Sequence, residues 1–373
     1  LNNRDLYGMP RKFNISYDSG GTISVCADTN DIAFYAVTLK EDTADLQAGV
    51  YFRVQLCGIT GHKQFASDSG LLITPSESTA LASAILRVFI ENGDRSNRKK
   101  ARLKYLIDDW GTSRFLKEVQ KKLAFSLRYV SEDLCRKPIP KIKHGHIGTY
   151  KQADGHNYIG IVVPVGRMTT STARHIANIA EEFGSGDIRL TTWQNLLIPH
   201  ISDEQLADAQ AAIKAVGLAY TSTTISGGLI ACTGNTGCKF AAANTKSQAI
   251  ILGQYLETKV KLDQPINIHL TGCHHSCAQH YIGDIGLMGT PVKLESGEKV
   301  EGYNIVLGGG VDDTQAIARE VYKNIPFEKI PSIIETLLKV YQKKRKDGET
   351  FAQYTQREKI EDLVAADSIR QAS

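Results

Sequence analysis

Four cysteines constrain this chain more than any other feature. Cys232 and Cys238 stand in ACTGNTGC, and Cys273 and Cys277 in TGCHHSC. They form a C-x5-C pair and a C-x3-C pair with 34 residues between. Two close pairs brought together by a fold present four thiolates to one point, the donor set of a cubane iron–sulfur cluster. Gly234, Gly237 and Gly272 let backbone approach a bulky inorganic core without Cβ clashes. Other readings of the spacing stay open. Structural zinc sites favour C-x2–4-C pairs, so x5 is unusual for them. Two disulfides would need an oxidising compartment, and no secretory signal is visible. Buried inert thiols are the plain alternative.

The remaining composition narrows the class. A chain of 373 residues can bury large cores in two or three domains. No run of 18 apolar residues exists, so no membrane span and no membrane partner are expected. The net charge of +4 is too weak to argue for nucleic acid, and the basic residues lack the interleaved aromatics of a single-strand binder. It suits an acidic partner or a polyanionic cofactor. Seven cysteines, an odd number, disfavour a full disulfide framework, and Cys26, Cys57 and Cys135 read as structural. The expected location is cytoplasmic.

Three regions follow from periodicity and punctuation. In residues 1–143, Ile23–Ala27, Ile32–Leu39 and Val50–Leu56 read as strands, and Ser76–Asn92, Asn97–Trp110 and Ser113–Leu123 as helices. Lys137–Lys143, KPIPKIK, is a Pro-punctuated basic linker. Residues 144–217 read as a compact βαββα unit: Tyr158–Val165, helix Thr172–Phe183, Asp187–Thr192, Asn195–Ile198 and helix Asp203–Val216. Residues 218–373 carry the cysteines. Helices are expected there at Ser247–Tyr255, Thr314–Val321 and Ile330–Lys346, and a polar helical tail, loosely packed, from Gln353. Strands are expected at Tyr281–Leu287, Tyr303–Leu307 and around Ile268, the last delivering the second cysteine pair.

Basic segments are the other candidates for chemistry. Pro10-Arg11-Lys12-Phe13-Asn14 is by itself a solvated basic turn, and Asn97–Arg102, NRKKAR, a solvated helix start. Arg98 and Arg102 lie four apart and would share one helix face. Arg53 and Lys63 are weaker candidates.

The whole chain resembles the sirohaem-dependent nitrite and sulfite reductase family. The resemblance rests on the four cysteines, on AQHYIGDIGLMG after them, on GYNIVLGGG, on RLTTWQNL and on PRKFN. It implies an α+β fold with a ferredoxin-like half-domain and two catalytic lobes. It also implies that Cys232, Cys238, Cys273 and Cys277 ligate a 4Fe–4S cluster, and that Cys277 is the axial thiolate of a sirohaem. Lys12 would contact the anion and deliver protons, a task suited to a partly desolvated lysine beside other cations. Arg11, Arg98, Lys100 and Arg102 would pair with sirohaem carboxylates, and Gln194 and Asn195 would lie beside the cofactors. The resemblance makes the reaction a six-electron reduction of nitrite to ammonia, or of sulfite to sulfide. Asn14 speaks for nitrite, since sulfite reductases tend to carry a second lysine there and a dianion rewards an extra cation. No strand-borne G-x-G-x-x-G is present, so electrons would come from a partner, with a small acidic ferredoxin the natural donor. Finally, the chain opens with Leu1 just before PRK, where the family has an N-terminal half-domain. A fragment, or a second polypeptide supplying that half, is the expectation. A cofactor-holding electron-transfer subunit without a complete anion pocket is the rival reading.

Overall fold

The computed structural model describes residues 4–136 and 139–363, which fall into two compact units, 1–141 and 142–373. In the first, β1 (Ile15–Asp18), β2 (Ile32–Leu39), β3 (Gly49–Leu56), β4 (Ser67–Ile73) and β5 (Arg128–Tyr129) form one sheet in that order. The β1–β2 pair is parallel and the others antiparallel. Helices α1 (Ser78–Asn92), α2 (Leu103–Trp110) and α3 (Thr112–Gln120) cover one face. Alternate residues make that face: Ile32 and Phe34 on β2, Val54 and Leu56 on β3, Leu71 and Ile73 on β4. Leu81, Ile85, Val88 and Phe89 form the facing stripe of α1 at helical spacing. Each such burial contributes about 1.5–3 kcal/mol. A capping box between Thr74 and Glu77, with Pro75 between them, starts the helical run, and α1 stops at Gly93.

The second unit holds two sheets. One is four-stranded, ordered β6-β7-β9-β8, from β6 (Gly148–Lys151), β7 (Asn157–Ile161), β8 (Arg189–Leu190) and β9 (Leu196–Ile201). Helices α4 (Thr170–Phe183) and α5 (Leu206–Ala215) pack Ile176, Ile179, Ala209 and Ile213 against Ile159, Ile161 and Ile198. The other runs β10 (Leu229–Ala231), β11 (Ile268–Thr271), β12 (Ile285–Lys293), β13 (Lys299–Leu307) and β14 (Arg319–Pro326). Its first three strands are parallel and its last two pairings antiparallel. Helices α6 (Thr245–Lys259), α7 (Ile330–Lys344) and α8 (Phe351–Arg357) complete it. The whole is α+β. Among the described residues no helix is long and apolar enough to cross a membrane.

Several expectations are corrected. Ile23–Ala27 forms no strand: Cys26 turns left-handed at φ 50° and Ala27–Thr29 is a 3-10 turn, while Ile15–Asp18 supplies the strand. Residues 97–102 are not helical, since Arg102 is extended and α2 begins only at Leu103, so Arg98 and Arg102 share no helix face. Thr314–Val321 is no helix. Its last three residues enter β14, whose polar outer residues mimic a helix surface. The tail helix is not loose: Phe351 and Tyr354 are buried, with ring centroids 5.3 and 5.5 Å from that of Tyr341. Lys137 and Pro138 of the KPIPKIK linker, and the tail beyond residue 363, lie outside the described residues.

Candidate functional site

The two cysteine pairs leave adjacent strands at the same edge. Cys232 follows the last residue of β10, and its N–H still bonds the Leu270 carbonyl of β11 at 3.0 Å. Cys273 lies two residues past β11. Because β10 and β11 are parallel, their carboxyl ends lie side by side, at the end of such a sheet where ligands usually bind. The C-x5-C loop is closed by Cys238 N–H to the Gly234 carbonyl at 2.9 Å. Gly234 is left-handed at φ 71°, and a Cβ there would come 2.8 Å from the Thr245 nitrogen. Gly272 has no room for a side chain either, since a Cβ would stand 2.5 Å from that of Ala241. That closeness lets its N–H donate to Cys232 Sγ at 3.1 Å.

The donor chemistry fits an iron–sulfur cluster. All four thiols are free, with Cys277 exposed and the other three partly so. Burial raises the Cys273 thiol pKa, and the sulfurs of Cys277, Cys232 and Cys238 raise it further, with a hydrogen bond to His275 opposing. Four thiolates so gathered would repel one another, and a cationic iron core would neutralise them. Zinc fits less well. At a Zn–S distance of about 2.3 Å a tetrahedral ion would hold its sulfurs about 3.8 Å apart. Here no three of the four sulfurs lie within 4.8 Å of one another.

Residues far away in sequence fix this edge. Gln194, itself left-handed at φ 59°, clamps Ala231 with both ends of its amide. Its Nε2 donates to the Ala231 carbonyl at 2.9 Å, and its Oε1 accepts the Ala231 N–H at 3.1 Å. Asn195 is buried and also spent within the protein. Its Oδ1 accepts Val163 N–H at 2.9 Å, and its Nδ2 donates to His146 Nε2 at 2.9 Å. Trp193 is buried as packing. Periodicity did not mark Thr245 or Lys246. Thr245 Oγ1 donates to the Cys232 carbonyl at 2.7 Å and lies 3.6 Å from its sulfur. Lys246 donates to the carbonyls of Val165 and Ala231, and burial lowers its pKa while Cys232 opposes the shift. Of the histidines between the ligands, His275 lies 3.4 Å from Cys273 Sγ by its Nδ1, and His274 is exposed.

In the 1–141 unit, Lys12 is exposed, and Arg11 and Asn14 are half-buried. The backbone N–H of Asn14 donates to Asp31 Oδ2 at 2.9 Å. The same carboxylate takes Arg102 Nε at 3.1 Å and Nη2 at 2.9 Å, and both side chains are buried. Burial raises the Asp31 pKa, and Arg102 and the Asn14 N–H limit the rise. Arg102 therefore acts on PRKFN through Asp31. Arg98 and Lys100 are exposed, and Lys100 lines a cavity of about 350 Å³ with Asp94, Tyr105 and Asp109. Arg53, a weaker candidate, is committed to Asp68 and the Val130 carbonyl.

The sequence matches the family described as nitrite and sulphite reductase 4Fe-4S domain over residues 1–127 and 227–366. The chain belongs to this family. Residues 150–216 match the nitrite/sulfite reductase ferredoxin-like half domain. The chain is 35% identical over 341 residues to the ferredoxin–nitrite reductase of Synechococcus elongatus, covering 90% of this chain and 64% of that one. It is 30% identical over 372 residues to sulfite reductase [ferredoxin] 1 of Mycolicibacterium paratuberculosis, covering 97% and 65%. The solved structure of Mycobacterium tuberculosis NirA protein superposes with a TM-score of 0.86 at 29% identity, over 95% of this chain and 64% of that one. The chain thus spans just under two thirds of the length of these reductase-family relatives.

Proposed function

We propose that this chain holds the 4Fe–4S cluster and sirohaem of an enzyme that reduces nitrite to ammonia with electrons from ferredoxin. The observation that carries the reading is the set of four free cysteines at the shared edge of β10 and β11. When bound, the cofactor pair supplies electrons singly to nitrogen–oxygen bonds. The chain's own residues do the rest. Cys232, Cys238, Cys273 and Cys277 would hold the cluster, and Cys277, the most open of the four, would also serve the sirohaem. Lys12 holds the anion and passes protons as oxygen leaves as water. Arg11, Arg98 and Lys100 pair with cofactor carboxylates. Arg102, Gln194 and Asn195 serve by positioning. Reduction of sulfite is the second reading, and the 30% identity to a sulfite reductase favours it.

The test is the absorption spectrum of the anaerobically purified chain, oxidised and then dithionite-reduced with nitrite added. Tetrapyrrole bands that shift with nitrite, with ammonia formed, support the proposal. A cluster spectrum without tetrapyrrole bands leaves the chain a cluster-holding part only, and colourless protein with bound zinc refutes the reading.

A further inference from the structure

The four-stranded sheet carries a second group of metal-binding side chains, built from different residues. The hairpin between β6 and β7 turns through Ala153-Asp154-Gly155, with Gly155 left-handed at φ 87° and the Asp154 carboxylate accepting the His156 N–H at 3.1 Å. This turn sets Asp154 and His156 side by side. His200 arrives from β9. Asn157 pairs with Ile201 and Ile159 with Ile198, so two residues of β9, Pro199 and His200, oppose the single residue Tyr158. This is a β-bulge, and bulges re-aim side chains. His200 turns left-handed at φ 59°, and its displaced N–H is taken by Gln152 Oε1 at 2.7 Å.

The result is convergence. Asp154 Oδ2 lies 2.9 Å from His200 Nδ1, and Asp154 Oδ1 lies 3.5 Å from His156 Nδ1. All three donors fall within 4.8 Å of one another, and the two imidazoles meet at 73°. Nitrogen and oxygen donors about 2.1 Å from a tetrahedral ion stand about 3.4 Å apart, so small side-chain rotations complete the set. Each residue is partly exposed, which leaves an entry path and room for water as a further ligand. Two imidazoles and one carboxylate favour the zinc–copper end of the divalent series over calcium or magnesium.

We propose that Asp154, His156 and His200 bind a zinc-class divalent transition metal that ties the β6–β7 turn to the β9 bulge. The inference does not depend on the nitrite reading. Calorimetric titration of ZnCl2 into the anaerobically purified full chain tests it, alongside His156→Ala, His200→Asn and His175→Ala. Asparagine tolerates the left-handed backbone at position 200, and His175 is an exposed control on α4. One equivalent of zinc should be lost, or bound more than about tenfold more weakly, in the first two variants and unchanged in the third. The same zinc should raise the melting temperature of the parent chain and of His175→Ala only. Identical stoichiometry and affinity in all four proteins would assign the binding to the cysteines and overturn the proposal, as would absence of the equivalent from the parent. Should His200→Asn lose its fold, His156→Ala on the exposed turn decides alone.

Discussion

Removing the Arg102 guanidinium should expose how the PRKFN segment is held. Asp31 is 1% exposed and Arg102 4%, so Arg102→Met leaves a buried carboxylate with the Asn14 N–H and the more distant charge of exposed Lys12 to stabilise it. Breaking a buried pair from one side costs about 3–5 kcal/mol. Asp31→Asn strands the guanidinium instead and should cost a similar amount. The double variant buries no charge, keeps an acceptor for Asn14, and loses only the two bonds at 3.1 and 2.9 Å, about 0.5–1.5 kcal/mol each. Double-mutant coupling should therefore be about 3 kcal/mol or more. The two tryptophans make this measurable by urea unfolding, since Trp110 lies in the 1–141 unit and Trp193 in the other. A Trp193→Phe background reports the first unit through α2, which starts beside Arg102. Without Arg102 the folded Asp31 pKa, already raised by burial, climbs further above its unfolded value. The carboxyl then costs nothing where it is protonated, below the unfolded pKa. It costs progressively more as pH rises through the folded pKa. The deficit of Arg102→Met should thus be largest at neutral pH and shrink in acid. Additive single costs, or a cost below about 1 kcal/mol for Arg102→Met, would refute the reasoning.

Three further outcomes are expected. His144, His146 and His269 each have a pKa lowered to about 4, first by burial, so the unfolded chain takes up protons the folded one refuses as pH falls from about 6.5 to 4. Stability of the 142–373 unit should drop across that window by up to about 1.4 kcal/mol per pH unit per histidine; a flat urea midpoint in the Trp193 signal between pH 7 and 5 would contradict this. Gln194→Asn keeps the left-handed backbone but shortens the amide beyond reach of Ala231, costing about 1–3 kcal/mol and lowering iron and sulfide per chain after reconstitution; full cluster loading would show the clamp is idle. Asn14→Lys should move relative kcat/KM from nitrite towards sulfite, and an unchanged ratio removes Asn14 as the discriminating residue.

What could be read from the chain was local and periodic. The βαββα order, the alternation of β3 and the Leu81–Phe89 stripe are short-range patterns, and the structure repeats them while adding β6 ahead of β7. The cysteine spacing announced four donors because each pair is itself a local motif. What escaped was set at long range. Arg102 reads as the fourth residue after Arg98, yet its partner Asp31 lies 71 positions away. Gln194 reads as a residue beside the cofactors, yet its amide is spent on Ala231, 37 positions on. β14 misled for a different reason: it pairs on one side only, so its charged outer residues carry no clean alternation.

These long-range partners explain why four converging cysteines are carried on a sheet edge. Loops alone would hold four mutually repelling thiolates poorly. Here Cys232 extends the β10–β11 ladder, so its position is fixed by backbone bonds before any metal arrives. Donors surround this residue: the Gly272 N–H reaches its sulfur at 3.1 Å, the hydroxyl of Thr245, which opens α6, reaches its carbonyl at 2.7 Å, and Lys246 sits on the adjoining carbonyl. A helix start and oriented N–H groups favour negative charge, which is the charge a thiolate-ligated cluster brings. The same donors would raise the cluster's affinity for electrons, because hydrogen bonds to sulfur stabilise the reduced form. On the proposed reading one arrangement would serve both assembly and electron acceptance, and it rests on Gly272 having no side chain.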